Sequence, residues 1–148
     1  MSRSGYSDNW DDNWRFILYR GHVASAIRGK RGQRFLRDLI SALDAMPEKK
    51  LISHAVAKDG CYCAMGAVGA ARGMTDEALE AFNVDPYDDD GFQTIVLGRE
   101  LNIASALARE VAFINDDGEF YHRPDFTEEQ RWHEVRAWAV RNLREEKS

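Results

Sequence analysis

The chain has 148 residues, 44 % of them hydrophobic, and a formal net charge of −5. That length and apolar content allow one domain with a real core and exclude wholesale disorder. No apolar run is long enough to span a bilayer and no signal-peptide core opens the chain, so a cytoplasmic protein without a membrane role is expected. The two cysteines, Cys61 and Cys63, stand one residue apart. They make no disulfide framework, which fits a reducing compartment.

In chain order, residues 1–7 are expected to fray. Asp8 or Asn9 can cap a first helix in which Trp10, Trp14, Ile17 and Leu18 fall at core spacing. That helix continues through Val23, Ala24 and Ile27, with Gly21 as a weak point. Gly29-Lys30-Arg31-Gly32 then reads as a basic loop. A second helix follows over 33–45, burying Phe35, Leu36, Leu39, Ile40 and Leu43. Residues 51–57 read as a strand, Asp59-Gly60 as a tight turn, and Cys61-Tyr62-Cys63 as the returning strand of a small hairpin.

Small side chains over 64–72 predict a helix that ends at Gly73, with Gly66, Gly69 and Ala70 allowing close approach of a neighbour. Thr75 caps a short helix carrying Ala78, Leu79 and Phe82. Residues 83–91 form an acidic loop. It imitates a calcium loop, but aligning Gly91 with the sixth position puts Pro86 first and Leu97 twelfth, where acidic ligands are required. Residues 94–114 have the outline of a helix-turn-helix. Asn102-Ile103-Ala104 would be its turn, Ser105 a cap, and Ser105 and Arg109 the residues nearest a DNA groove. Asn115-Asp116-Asp117-Gly118 reads as a turn. Thr127 to Gln130 is a capping box that starts a last helix, with Trp132, Val135, Ala139 and Leu143 on one face. Residues 144–148 are expected to fray. The expected fold is therefore α+β and mainly α, a compact single-domain bundle of five or six helices with a small β-hairpin near residues 50–63.

Charge is unevenly placed. Residues 15–37 hold seven basic side chains and no acidic one, whereas 75–91 hold seven acidic side chains and no basic one. Such runs suit an intramolecular contact, head-to-tail self-association into a homo-oligomer, or two partner surfaces. The acidic run, with Asp85, Asp88, Asp89 and Asp90, could occupy the basic groove of a host protein. In the basic run, Arg28, Lys30, Arg31, Arg34 and Arg37 are separated by glycines that let a backbone approach phosphates, which suits DNA or RNA. A third reading centres on Cys63. At a helix N-terminus its thiolate would be favoured, and with His54 or His122 as base it could serve a small hydrolase or a ligand-binding site. Separately, Asp116 and Asp117 could act as acid and base, although adjacent aspartates before glycine are usually turn formers. The spacing of His54, Cys61 and Cys63 does not make a zinc site, and no metal or cofactor is expected.

Several phrases carry a resemblance: 23–33 (Val-Ala-Ser-Ala-Ile-Arg-Gly-Lys-Arg-Gly-Gln), 63–69 (Cys-Ala-Met-Gly-Ala-Val-Gly), 113–117 (Phe-Ile-Asn-Asp-Asp) and 127–132 (Thr-Glu-Glu-Gln-Arg-Trp). Together they resemble an uncharacterised family of small tailed-phage and prophage proteins, over about residues 14–140. The second half is also similar to a wider set of bacterial domains of unknown function. The resemblance implies a setting, phage biology in the cytoplasm of a bacterial host cell, and no mechanism. By analogy with small acidic phage accessory proteins, the expectation is a protein that binds a host macromolecule and could inhibit a host protein or defence system. The resemblance carries over no catalytic residue.

Overall fold

The computed structural model describes residues 3–4, 13–83, 91–116 and 126–144, with side chains in the first helix described from Ile17 onward. Among the described residues, seven helices and one two-stranded hairpin follow in order. They are α1 (Asn13–Arg28), α2 (Lys30–Ala45), β1 (Ala57–Lys58), β2 (Cys61–Tyr62), α3 (Ala64–Ala71), α4 (Asp76–Glu80), α5 (Phe92–Glu100), α6 (Ser105–Asp116) and α7 (Glu128–Asn142). The expected class, mainly α with a small β element, is what forms. The seventh helix is the short turn of α4.

The bundle is built around α2 and α6. Helices α1, α3 and α7 each pack against both, and α5 packs on α6. The α2 stripe Phe35, Leu36, Leu39 and Leu43 meets Leu107, Ala108 and Val111 of α6 and Val135, Trp138 and Ala139 of α7 in one buried cluster. This is the apolar face that helical periodicity dictates, buried because it removes hydrocarbon from water.

Four local expectations are corrected. The basic loop is absent: α1 ends at Arg28, Gly29 is the N-cap of α2, and the second helix starts three residues early. The reason is close packing at the corner, where a Cβ on Gly32 would stand 2.0 Å from the Ala26 carbonyl oxygen. Ile17 and Leu18, expected in the core, are 59 % and 49 % exposed. The strand over 51–57 shrinks to Ala57 and Lys58, because His54 adopts a left-handed φ of 61° that breaks the run. Its ends remain tied: Ile52 N–H donates to the Tyr62 carbonyl and Cys63 N–H to the Val56 carbonyl, both at 3.0 Å. Finally, Asn115 and Asp116 form the buried last turn of α6 and not an exposed turn.

Other local signals form as expected. Asp59 and Gly60 take the positive φ of the hairpin turn, pairing Ala57 with Tyr62 and Lys58 with Cys61. Thr75 accepts from the Ala78 N–H at 3.1 Å. Thr127 accepts from the Gln130 N–H at 3.1 Å while Gln130 accepts from the Thr127 N–H at 2.9 Å, the reciprocal capping box. The same turn anchors the chain before the hairpin, since Leu51 N–H donates to the Glu128 carbonyl at 3.0 Å. Thr127→Ala is expected to lower unfolding free energy by about 1 kcal/mol. A urea midpoint equal to that of wild type would show that the cap contributes nothing.

Candidate functional site: a buried polar knot and a cationic groove

Cys63, His54 and Asp116 meet in one place. Cys63 is the N-cap of α3, and its Sγ accepts from the Gly66 N–H at 3.4 Å. The Arg3 guanidinium, only 5 % exposed, reaches into the same site. Its Nε and Nη2 donate to the two Asp116 carboxylate oxygens at 2.8 and 2.7 Å, and its Nη1 lies 3.8 Å from the Cys63 Sγ. Asp116 also accepts from the His54 backbone N–H at 3.0 Å and from Asn115 Nδ2 at 2.9 Å. Asn115 in turn accepts from the Ala64 N–H and donates to the Ile52 carbonyl. Arg131 of α7 closes the knot by donating to the carbonyls of Asn115 and Leu51.

The electrostatics are those of a closed pair. Burial works against the Arg3 charge, and Cys63 and Asp116 beside it more than offset that, so its pKa lies above the ordinary value. Burial likewise pushes Asp116 up, but the Arg3 charge and hydrogen bonds, with those of His54 N–H and Asn115, hold it below the ordinary carboxylate range. A nucleophile needs a base within hydrogen-bond reach. Here His54 contributes its backbone N–H, the Asp116 oxygens are engaged by Arg3, His54 and Asn115, and the Cys63 residue is 1 % exposed. The arrangement suits a lock that ties residue 3 to the bundle 113 positions away. Among the described residues no group of three His, Cys, Asp or Glu side chains could hold a metal ion.

The second site is open. A groove of about 610 Å³ runs between α1, the α1–α2 corner and the start of α6. Tyr19 and His22 form its α1 wall, Lys30 and Arg31 stand at the corner, and Ser105 and Arg109 come from α6. The Tyr19 hydroxyl donates to the Ala106 carbonyl at 3.3 Å and joins the walls. Among the described residues no acidic one lines the groove. Two helix N-termini face it. Gly29 gives α2 no side-chain cap, and Ala104, whose carbonyl receives the first helical bond of α6 from Ala108, has no side chain able to cap. Uncapped N–H groups and the dipole make such ends attractive to anions. Arg109 Nε is buried with no hydrogen-bond partner among the described residues. The nearest polar contact of Arg31 is long, 3.4 Å to Asn102 Oδ1 at the exposed surface.

The groove joins two sequence candidates that lay far apart in the chain, Lys30 and Arg31 of the basic run with Ser105 and Arg109 of the helix-turn-helix-like unit. Arg28 lines a different groove, and Arg34 and Arg37 are exposed along α2 and line neither. The unit over 94–114 is real as a packed corner: a Cβ on Gly98 would stand 2.6 Å from the Ala108 Cβ. Its second helix is nevertheless no recognition helix, because α6 is packed against four neighbours and only Ser105 is exposed, with Ala106, Arg109 and Phe113 partly so. Ser105 is the first residue of that helix and not its cap.

Asp85, Asp88, Asp89 and Asp90 lie outside the described residues, as do Asp117 and His122. The described part of the acidic run, Asp76, Glu77 and Glu80, makes no ion pair with the basic run among the described ion pairs, which join Arg3 to Asp116, Arg20 to Glu110, Lys50 to Glu48, Arg72 to Asp38 and Arg136 to Asp44. No helix among the described residues is long and apolar enough to cross a membrane. Comparison with protein-family models, with curated proteins and with solved structures finds no match to this chain.

Proposed function

We propose that this protein binds nucleic acid by its phosphates, in the groove between the α1–α2 corner and the first turn of α6. The observation that carries the reading is the convergence of Lys30, Arg31 and Arg109 with the N-terminal turns of α2, which has no side-chain cap, and of α6 in one groove that no carboxylate lines among the described residues. Arginine forks and oriented backbone N–H groups are the two devices that hold phosphate oxygens, and here they face the same space. The unpartnered Arg109 Nε fits this reading, since a buried donor without an acceptor costs free energy unless a ligand supplies one. The net charge of −5 does not oppose it. Screening limits each charge to about 8–10 Å at physiological salt, so a phosphate in the groove senses the local cations. The resemblance to phage and prophage proteins gives the setting we propose, the cytoplasm of a bacterial host.

Fluorescence anisotropy with a labelled DNA duplex tests this. Wild type is expected to bind at about 50 mM salt. The double substitution Arg31→Ala and Arg109→Ala is expected to weaken binding by about tenfold or more, from lost phosphate contacts. Arg136→Ala, which removes a partner of Asp44 away from the groove, is expected to leave affinity unchanged. Equal affinities for wild type and the double variant would overturn the assignment.

A further inference from the structure

We propose that α1 is the element that enters the nucleic acid, its outer crest lying in the major groove of B-form DNA while cationic grooves on its two flanks seat the phosphates of the two strands. The inference rests on the phosphate-binding reading above and assigns it a geometry and a form of nucleic acid.

A second groove, of about 320 Å³, lies on the opposite flank of α1. Arg20 and Arg28 of α1 line it together with Arg141 and Arg144 at the end of α7, and again no acidic one does among the described residues. Arg20 pairs with the buried Glu110, so part of its charge is met within the protein. Arg28 and Arg144 form no ion pair among the described residues. Helical periodicity explains the division. Tyr19, His22 and Ala26 turn to the first groove, and Arg20, Val23 and Ile27 turn to the second.

Between the flanks runs an exposed crest of Ile17, Leu18 and Gly21, with Ser25 and Arg28 on its margins, where they also line the first and second grooves. Its composition is odd for a surface helix. Two large apolar side chains stand in solvent, and Gly21 weakens the helix by about 1 kcal/mol relative to alanine. No packing among the described residues requires that glycine, because a Cβ there would meet none of their atoms within 4 Å. A crest with small residues at its middle lets a helix approach base edges closely, and apolar side chains suit thymine methyl groups.

Size selects the partner. A helix with its side chains is about 10–12 Å across, the width of the B-DNA major groove at about 12 Å. The major groove of duplex RNA is too deep and narrow to admit it. Phosphates rim both edges of the groove, and α1 carries a cationic channel on both flanks. The alternative reading helix, α6, is buried along most of its length.

The test measures affinity for duplex DNA, duplex RNA and single-stranded DNA of one sequence, using wild type and three variants. Gly21→Glu places bulk and negative charge on the crest, where the fold leaves open space, so it should keep the wild-type circular dichroism. It is expected to lower duplex-DNA affinity by about tenfold or more. Arg136→Ala, at a residue that lines neither groove, is the control and is expected to bind as wild type. The pair Arg28→Ala and Arg144→Ala is expected to weaken duplex DNA binding by a similar factor. If Arg31→Ala with Arg109→Ala weakens binding but Gly21→Glu and the Arg28–Arg144 variant do not, the phosphate groove stands and the α1 geometry is overturned. Equal affinity for single strands or for duplex RNA also overturns it. If wild type binds none of the three, both readings fail.

Discussion

Asp116→Asn is expected to destabilise the protein by about 3–5 kcal/mol. The substitution keeps the side-chain shape but leaves the Arg3 guanidinium buried beside a neutral amide that presents one acceptor where two oxygens stood. Arg3→Ala should have an effect of similar size, since it strands a carboxylate whose oxygens are almost fully removed from solvent. Combining Arg3→Met with Asp116→Asn should recover part of the loss, because the penalty comes from an unpaired buried charge more than from the missing bond. Removal of residues 1–4 is then predicted to cost several times what trimming an ordinary terminus would, which is within about 0.5 kcal/mol.

The same pair sets an acid dependence. The Asp116 pKa is depressed in the folded state, mainly because the Arg3 charge and hydrogen bonds overcome the effect of burial. Its stabilising contribution is therefore complete above the unfolded value, about 3.9, and is lost as pH falls through the lower folded value. Wild type should hold its urea midpoint down to about pH 4 and lose stability below it. Asp116→Asn should start lower and lose less over that acid range. Parallel midpoint curves for the two proteins would show that the carboxylate is not linked to folding.

The second large effect comes from glycines whose space is already taken. A Cβ on Gly66 would stand 2.2 Å from the Val56 carbonyl oxygen, and one on Gly32 would stand 2.0 Å from that of Ala26. Both obstacles are backbone atoms, so neither clears by a side-chain rotation. Alanine raises helix propensity by about 1 kcal/mol. Overpacking against a fixed backbone costs about 1–3 kcal/mol and more where nothing gives. Gly32→Ala and Gly66→Ala are thus expected to destabilise by about 2–3 kcal/mol each, while Gly21→Ala, with open space around it, stabilises by up to about 1 kcal/mol. Denaturant titration of the three reads opposite signs for one chemical change. A stabilising Gly32→Ala would mean that the α1–α2 corner is looser than these distances.

Local signals were legible where the residues decide their own structure. The 3.6-residue stripe of α2, the Thr75 cap, the Thr127 capping box and the Asp59-Gly60 turn all depend on neighbours within a few positions. Glycine was ambiguous for a physical reason: absence of a Cβ permits a turn and permits close packing, and only the partner helix decides. Gly29 and Gly32 therefore read as a loop and proved to be a tight helical corner. Ile17 and Leu18 fit a core spacing, yet their helix turns that face to solvent. The Asn115-Asp116 pair has the chemistry of a turn former, and nothing nearby in sequence announces that Arg3, Ala64 and Arg131 will satisfy it. The groove was visible only as two separate candidates. What unites Lys30 and Arg31 with Ser105 and Arg109 is the packing of α1 on α6. Arg141 and Arg144 drew no attention, because a cationic chain end is commonplace until a second cationic flank is found opposite it.

The most direct test of the phosphate-binding account is the salt dependence of wild-type affinity for duplex DNA. Each neutralised phosphate releases counterions, so log K should fall linearly with log salt at a slope of about −4 or steeper for four or more phosphate contacts. The Arg31→Ala, Arg109→Ala protein should show a slope shallower by about two. A slope near zero, or no binding at about 50 mM salt, would contradict the account.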